Sequence, residues 1–393
     1  GSLNTNDNNG QRTVDRDYYN NITTEWRNIW KYNLIGKERS ALSFGARFHT
    51  GHTDRRQALG TTGTEAEFIY ANPDNMSRDL DLNSQNIAFF VENMFSIGKN
   101  LKVSPVFRYE MIMTAAEGKP AVQKEQRDYS FPLAGVSAEY NLPFGIELYG
   151  NWSQSFRPVT FNELWTTNAA LVIDQNIQAS KGWSSDAGVR GGWHNAVYYD
   201  ISVYLMQIDG RIGDITTSDA SGNSILMRTN AGDSKNHGVE AYVDVHPLQF
   251  NAEKPKRADF GLFSSVGYSE AYYTEGSNSG KRVEYAPRWS VRSGASFQFK
   301  WISTTFTWTY VDGVYADAKN TVWAADAKSG WIPSYNVLDW SLTVKLPKNL
   351  AVRGSVNNIA DHSYFTRRAS GYPGPGIVPC EGRAFALTLS ARF

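Results

Sequence analysis

Apolar and polar residues alternate with a period of two over long stretches of the chain, the mark of strands with one apolar face. Leu338, Trp340, Leu342 and Val344 alternate with Asp339, Ser341, Thr343 and Lys345. Leu42, Phe44, Ala46 and Phe48 alternate with Ser43, Gly45, Arg47 and His49. Trp289, Val291, Ala295 and Phe297 follow the same rule with Ser293 as the exception, and Ile302, Phe306, Trp308 and Tyr310 with Thr304 as the exception. A helical period would mix polar residues into the apolar face of all four segments. The pattern predicts about fifteen strands, near 21–35, 40–52, 84–96, 99–112, 128–141, 143–155, 182–195, 196–211, 236–248, 257–273, 287–299, 300–312, 333–346, 348–359 and 383–393. Several exceed the ~9–11 residues a tilted strand needs to cross a bilayer. Strands of soluble proteins usually run ~5–6 residues.

The connections sharpen this. Short ones fall near 36–39, 98–100, 142–144, 194–195, 299–301 and 346–348, with a medium one at 247–256. Long ones fall near 53–83, 113–127, 156–181, 212–235, 274–286, 313–332 and 360–382. The two kinds alternate, as they do in an up-and-down barrel with tight turns at one end and loops at the other. In the closing strand, Phe385, Leu387, Leu389, Ala391 and Phe393 share one face. A last strand that ends on an aromatic residue resembles the assembly signal of bacterial outer-membrane barrels. That resemblance puts Phe393 at the periplasmic rim and every long loop outside the cell. The expected fold is an all-β, transmembrane, antiparallel up-and-down β-barrel; a water-soluble β-sandwich is the alternative.

Composition removes other classes. The apolar runs of the 393-residue chain reach only about five residues, against the ~20 that a membrane helix needs. Lys+Arg and Asp+Glu are equal at 39 each, which gives no electrostatic case for nucleic acid. Cys380 is the only cysteine, so neither an internal disulfide nor a multi-cysteine zinc site can form. No signal peptide is visible at the start, Gly1-Ser2 reads as a cloning scar, and 3–10 reads as loop. Residues 1–20 are therefore expected to be a truncated outer loop and 21–393 the barrel.

Several segments resemble the TonB-dependent outer-membrane receptors. Ser155-Phe156-Arg157-Pro158 with Thr160-Phe161-Asn162-Glu163-Leu164 is similar to that family's "FRxPtfnEL" segment, and Asn176-Ile177 through Lys181-Gly182-Trp183 to the stretch that follows it. Asn236-His237-Gly238-Val239-Glu240 is similar to a "yGvE" strand start, Pro333-Ser334-Tyr335 with Asp339 to "pxYxvxD", and Val356-Asn357-Asn358-Ile359-Ala360-Asp361-His362-Ser363-Tyr364 to "vxNlfDxxY". Gly382-Arg383 also fits. The resemblance implies a 22-stranded barrel closed by an amino-terminal plug, of which this chain holds the carboxyl-terminal ~15 strands without plug or energy-coupling box. It implies uptake of a ferric chelate into the periplasm, driven by the TonB complex acting through the plug. Outer-membrane lipid and the barrel-assembly machinery are the other implied partners. No catalytic group, resident cofactor or protein ligand to metal is expected, because the iron arrives chelated. Tyr364-Phe365-Thr366-Arg367-Arg368 through Gly371–Ile377 resembles the ferric-citrate type. Haem, cobalamin or glycan cargo and a passive porin remain alternatives.

An anionic chelate calls for arginine, whose planar fork grips carboxylates in bidentate fashion and stays charged. Arg55, Arg56 and Arg78 are expected on one outer loop, Arg211 and Arg228 on a second, and Arg367 and Arg368 on the last. Trp165 and Tyr364 are candidate stacking residues beside them; membrane-girdle or loop packing is the plainer role for such aromatics. The six histidines form no HExxH or HxxxH pair, so a metalloprotease has no support.

Overall fold

The computed structural model describes residues 11–34, 38–62, 67–119, 122–164, 171–218, 224–250, 258–325, 327–369 and 376–392. Its strands are β1 (Thr13–Asn33), β2 (Arg39–Leu59), β3 (Arg78–Ile97), β4 (Leu101–Lys119), β5 (Val122–Asn141), β6 (Glu147–Arg157), β7 (Leu171–Ile173), β8 (Ser180–Trp193), β9 (Val197–Ser218) and β10 (Ser224–Val245). They continue as β11 (Ala258–Tyr273), β12 (Trp289–Phe299), β13 (Ile302–Val311), β14 (Val314–Tyr315), β15 (Trp331–Ile332), β16 (Tyr335–Leu346), β17 (Leu350–Asn357), β18 (Phe365–Ala369), β19 (Gly376–Pro379) and β20 (Ala384–Ala391). Fifteen of them pair neighbour to neighbour in one up-and-down sheet, β1-β2-β3-β4-β5-β6-β8-β9-β10-β11-β12-β13-β16-β17-β20. β7 adds to β10, and β14–β15 and β18–β19 form two hairpins in the loops. Each predicted strand corresponds to one strand of this wall.

Register explains the two faces. β1 and β2 pair without a shift from Thr13↔Leu59 to Asn33↔Arg39, so each strand keeps one side throughout. Trp26 and Trp30 stand with Phe44 and Phe48 on one face, and Glu25 and Arg27 with Arg47 and Gly45 on the other. Among the described residues nothing packs against the apolar face. Trp26 is 58% exposed, Phe306 47%, Leu387 80% and Leu389 72%. A sandwich would bury these side chains between two sheets. The single exposed layer excludes that alternative and agrees with a wall whose apolar side meets lipid.

The strands run further at the loop end than the alternation predicted. β1 starts at Thr13 rather than near 21, and β3 at Arg78 rather than near 84. The long loops expected at 113–127 and 212–235 are mostly strand: β4 reaches Lys119 before β5 starts at Val122, and β9 reaches Ser218 before β10 starts at Ser224. Past the lipid both faces meet water, so side-chain alternation fades. The backbone still needs partners there and finds them in the ladder.

Three clusters of buried apolar groups sit at this same end. Tyr273 packs with Ala231, Ala271, Val283 and Ala318. Val14, Ala58 and Tyr70 form a second cluster, and Leu80, Leu82 and Ala116 a third, with Phe161 against it.

Candidate functional site

The segment after β6 shows how the loop end is built. A four-residue helix, α1 (Phe161–Leu164), follows Pro158. Thr160 precedes it, and Glu163 reaches back so that its Oε2 accepts from the Thr160 N–H at 2.8 Å and from the Thr160 hydroxyl at 3.0 Å. This is the glutamate arm of a capping box, which satisfies the Thr160 N–H, while the Thr160 hydroxyl donates to the same carboxylate. Arg157, at the end of β6, pairs with the other carboxylate oxygen of the buried Glu163. Phe161 is thereby set against Leu80, Leu82 and Ala116 on the polar-face side of β3 and β4. Tyr129 of β5 accepts from the Val159 N–H at 3.3 Å, and Arg127 donates to the Gln175 carbonyl at 3.1 Å. The far end of the segment pairs β7 in parallel with β10, and Asp174 accepts from the Thr229 hydroxyl at 2.5 Å. The loop is thus a strap from β3–β5 to β10. Hydrogen bonds from Thr229 and the Asn176 backbone hold the Asp174 carboxyl below the usual carboxylate range.

The loops after β11, β13 and β17 interlock in the same way. Tyr273 is fully buried and donates to Glu284 Oε2 at 2.9 Å. Burial, with Glu284 beside it, pushes its phenol well up. Asn320 exchanges two hydrogen bonds with the Arg282 backbone, both 2.8 Å. Asn358 adopts φ 50° and Asp361 φ 54°, a region that Asn and Asp tolerate. Asp339 accepts from the Asn358 N–H, the Asn358 side chain bonds His362 in both directions, and Asp361 accepts from the Arg383 N–H. The "pxYxvxD", "vxNlfDxxY" and Gly-Arg segments are therefore parts of one staple that holds the last loop to the strands on either side.

The nine residues singled out from the sequence divide by what they touch, and five of the arginines expected on loops lie on strands instead, because the ladder continues past the lipid: Arg55 and Arg56 on β2, Arg78 on β3, Arg211 on β9 and Arg228 on β10. Arg55 pairs with Asp17 at 3.2 Å and Arg78 with Asp15 at 3.4 Å, both on the polar face. Arg56 lies on the opposite, outward face and pairs with Asp79 at 3.4 Å. Arg211 pairs with Glu284 at 3.6 Å, and Arg228 grips Asp214 with bonds of 2.7 and 2.9 Å. Arg368 donates to the carbonyls of Ala327 and Trp331 at 2.8 and 2.9 Å, tying β18 to the loop before it. Arg367 is exposed and has no ion pair among the described residues. Tyr364 stacks on Tyr335 with centroids 4.5 Å apart. Trp165 lies outside the described residues, as does Phe393. Among the described residues no ion pair joins one arginine group to another.

Strand pairing gathers one cluster that no local motif announced. His52, Asp54 and Asp81 meet across β2 and β3 on the outward face, 29 residues apart in sequence at the widest. The only cue was the two-residue spacing of His52 and Asp54; Asp81 joins through register.

Comparisons place these features in context. The family model described as "TonB dependent receptor-like, beta-barrel" matches residues 1–359. The unliganded ferric citrate transporter FecA superposes with a TM-score of 0.80 at 20% identity, over 97% of this chain and 55% of that one. The siderophore receptor PiuA from Acinetobacter baumannii does so with 0.72 at 14% identity, over 95% and 56%. The copper transporter OprC gives 0.70 at 15% identity, over 95% and 57%. The chain spans little more than half the length of each of these structures.

Proposed function

The chain belongs to the TonB-dependent receptor β-barrel family of the bacterial outer membrane, and on that premise we propose that it forms the lipid-embedded wall and outer binding loops of a receptor that imports a ferric chelate, ferric citrate or a siderophore, into the periplasm. The edges β1 and β20 would receive the remaining strands of the barrel, and a plug would couple the receptor to TonB. The observation that carries this reading is the exposed apolar wall joined to a set of interlocked loops at one end. A wall of this kind separates two water phases, and cross-tied loops hold a ligand site in fixed geometry.

Within the loops, Arg367 is the arginine we assign to direct contact with ligand carboxylates. It is exposed on the β18–β19 hairpin with no ion pair among the described residues, and Arg368 anchors that hairpin. Tyr364 and Trp165 would supply the aromatic surface. Arg55, Arg78, Arg211 and Arg228 would shape the potential of the mouth while remaining paired with carboxylates.

Tryptophan quenching of the receptor in detergent across a panel of ferric chelates tests the reading. Saturable quenching by ferric citrate or a ferric siderophore, weakened about tenfold (~1.4 kcal/mol) by Arg367→Ala, is expected. Binding confined to haem or a glycan, or ohmic conductance in planar bilayers without any ligand, would count against it.

A further inference from the structure

We propose that His52, Asp54 and Asp81 form a site for one divalent transition-metal cation of the zinc type, on the outward face of β2 and β3 beyond the apolar belt. His52 Nε2 lies 3.5 Å from Asp54 Oδ1 and 3.5 Å from Asp81 Oδ1. The three ligand atoms all fall within 4.8 Å of one another. Bonds of about 2.0–2.2 Å from a tetrahedral zinc to nitrogen and oxygen set its ligands about 3.4 Å apart, so an ion fits with small movements.

Asn83 fixes the orientation of the imidazole. Asn83 Oδ1, a carbonyl oxygen, lies 2.9 Å from His52 Nδ1, so Nδ1 carries the hydrogen and donates it. Nε2 then faces the two carboxylates, and a metal ion bound there would displace any proton it carries. A carbonyl accepting from the other ring nitrogen is the usual way a ligating histidine is oriented.

Register supplies the independent argument for a cation. Asp81 stands directly opposite Asp54 on one side and directly opposite Glu117 on the other. Three carboxylates therefore lie in a row across β2, β3 and β4, and like charges directly opposite one another destabilise a sheet. Arg56 reaches Asp54 at 3.8 Å and Asp79 at 3.4 Å. Among the described residues Asp81 has no arginine or lysine within ion-pair distance. A divalent ion between Asp54, Asp81 and the imidazole relieves the row.

The setting is rigid and reachable. β2 and β3 pair without a shift from Ala41↔Met94 to Gln57↔Arg78, which fixes the ligands on strands rather than on a loop. The ligand side chains are 30–58% exposed, which leaves an entry path and room for water to complete the coordination. One imidazole with two carboxylates suits zinc, nickel or manganese better than calcium or magnesium, which prefer all-oxygen sets. The site lies on the opposite face of the wall from Arg55 and Arg78, so it is separate from the mouth where a chelate would bind.

Isothermal titration of zinc chloride into the full receptor in detergent tests this. One saturable site is expected, with His52→Ala and Asp81→Asn each weakening it at least tenfold. His49→Ala, on the same strand but on the other face and bonded to Thr23, should leave it unchanged. Cobalt substitution should give the visible absorption of a tetrahedral or five-coordinate site, which His52→Ala abolishes in protein that still shows a native strand spectrum. Absence of saturable zinc binding, an unchanged isotherm in His52→Ala, or equal affinity for magnesium would overturn the proposal; in the first case His52 serves only as a proton acceptor between the aspartates.

Discussion

The membrane belt and the loop end of this wall treat apolar surface in opposite ways. In the belt, Trp26, Phe306, Leu387 and Leu389 stand on a face with no protein against it. At the loop end, Tyr273, Leu80 and Val159 are all but fully buried. The belt relies on hydrocarbon, which solvates those side chains as well as a protein interior does. The loop end stands in water, where apolar groups must find each other and every backbone donor needs a partner. Exposure therefore means different things along one strand: near the middle it reports lipid contact, and near the loops it reports water.

Substitutions at matched positions sharpen the contrast. The largest effect is expected from Tyr273→Ala. Losing a fully buried ring and leaving Glu284 with Arg211 alone should cost about 3–5 kcal/mol of the loop end's local stability, read as faster amide exchange across 271–284 with the belt amides unchanged. Next comes Phe306→Arg, which puts a charge on the lipid face in mid-strand and should cost about 2–4 kcal/mol in urea unfolding from vesicles. Thr305→Arg, one residue away on the polar face, should cost far less. Equal penalties at the two positions would erase the distinction between the faces.

Smaller effects probe the strap. Glu163→Gln removes the charge that holds Arg157 and weakens the capping box, at about 1 kcal/mol, and proteolysis of 158–179 should accelerate. Acid should act on the same element. The folded-state pKa of Asp174 is depressed, so its stabilisation is present above the ordinary carboxylate pKa and fades as pH falls through the lowered value. Exchange at Asn176 and Thr229 should rise in that window, and Asp174→Asn should flatten the profile.

The sequence disclosed the belt better than the loop end, for a physical reason. Lipid forces strict alternation, so Leu338–Val344 and Leu42–Phe48 announced both strand and face. Beyond the lipid the alternation lapses, and 113–119 and 212–218 read as loop although they continue β4 and β9. The family-like segments were legible as motifs but not as mechanics. Asp339 and Arg383 are far in sequence from the Asn358–Asp361 segment that both bond, and the three form one staple only through strand order. The arginines were legible as charge. Which of them have acidic partners was not, because Asp15, Asp17 and Asp214 meet them through register. Asp81 joins His52 for the same reason.

The central claim is that hydrocarbon covers the apolar face. Spin labels placed one at a time along 302–310 of β13 in the receptor reconstituted in lipid vesicles test it most directly, by comparing collisions with oxygen and with a water-soluble nickel complex. A period of two is expected: labels at 304, 306 and 308 are relaxed by oxygen and shielded from nickel, and labels at 303, 305 and 307 are not. Uniform exposure to the nickel complex, or outward labels shielded from both reagents by a second protein layer, would contradict it.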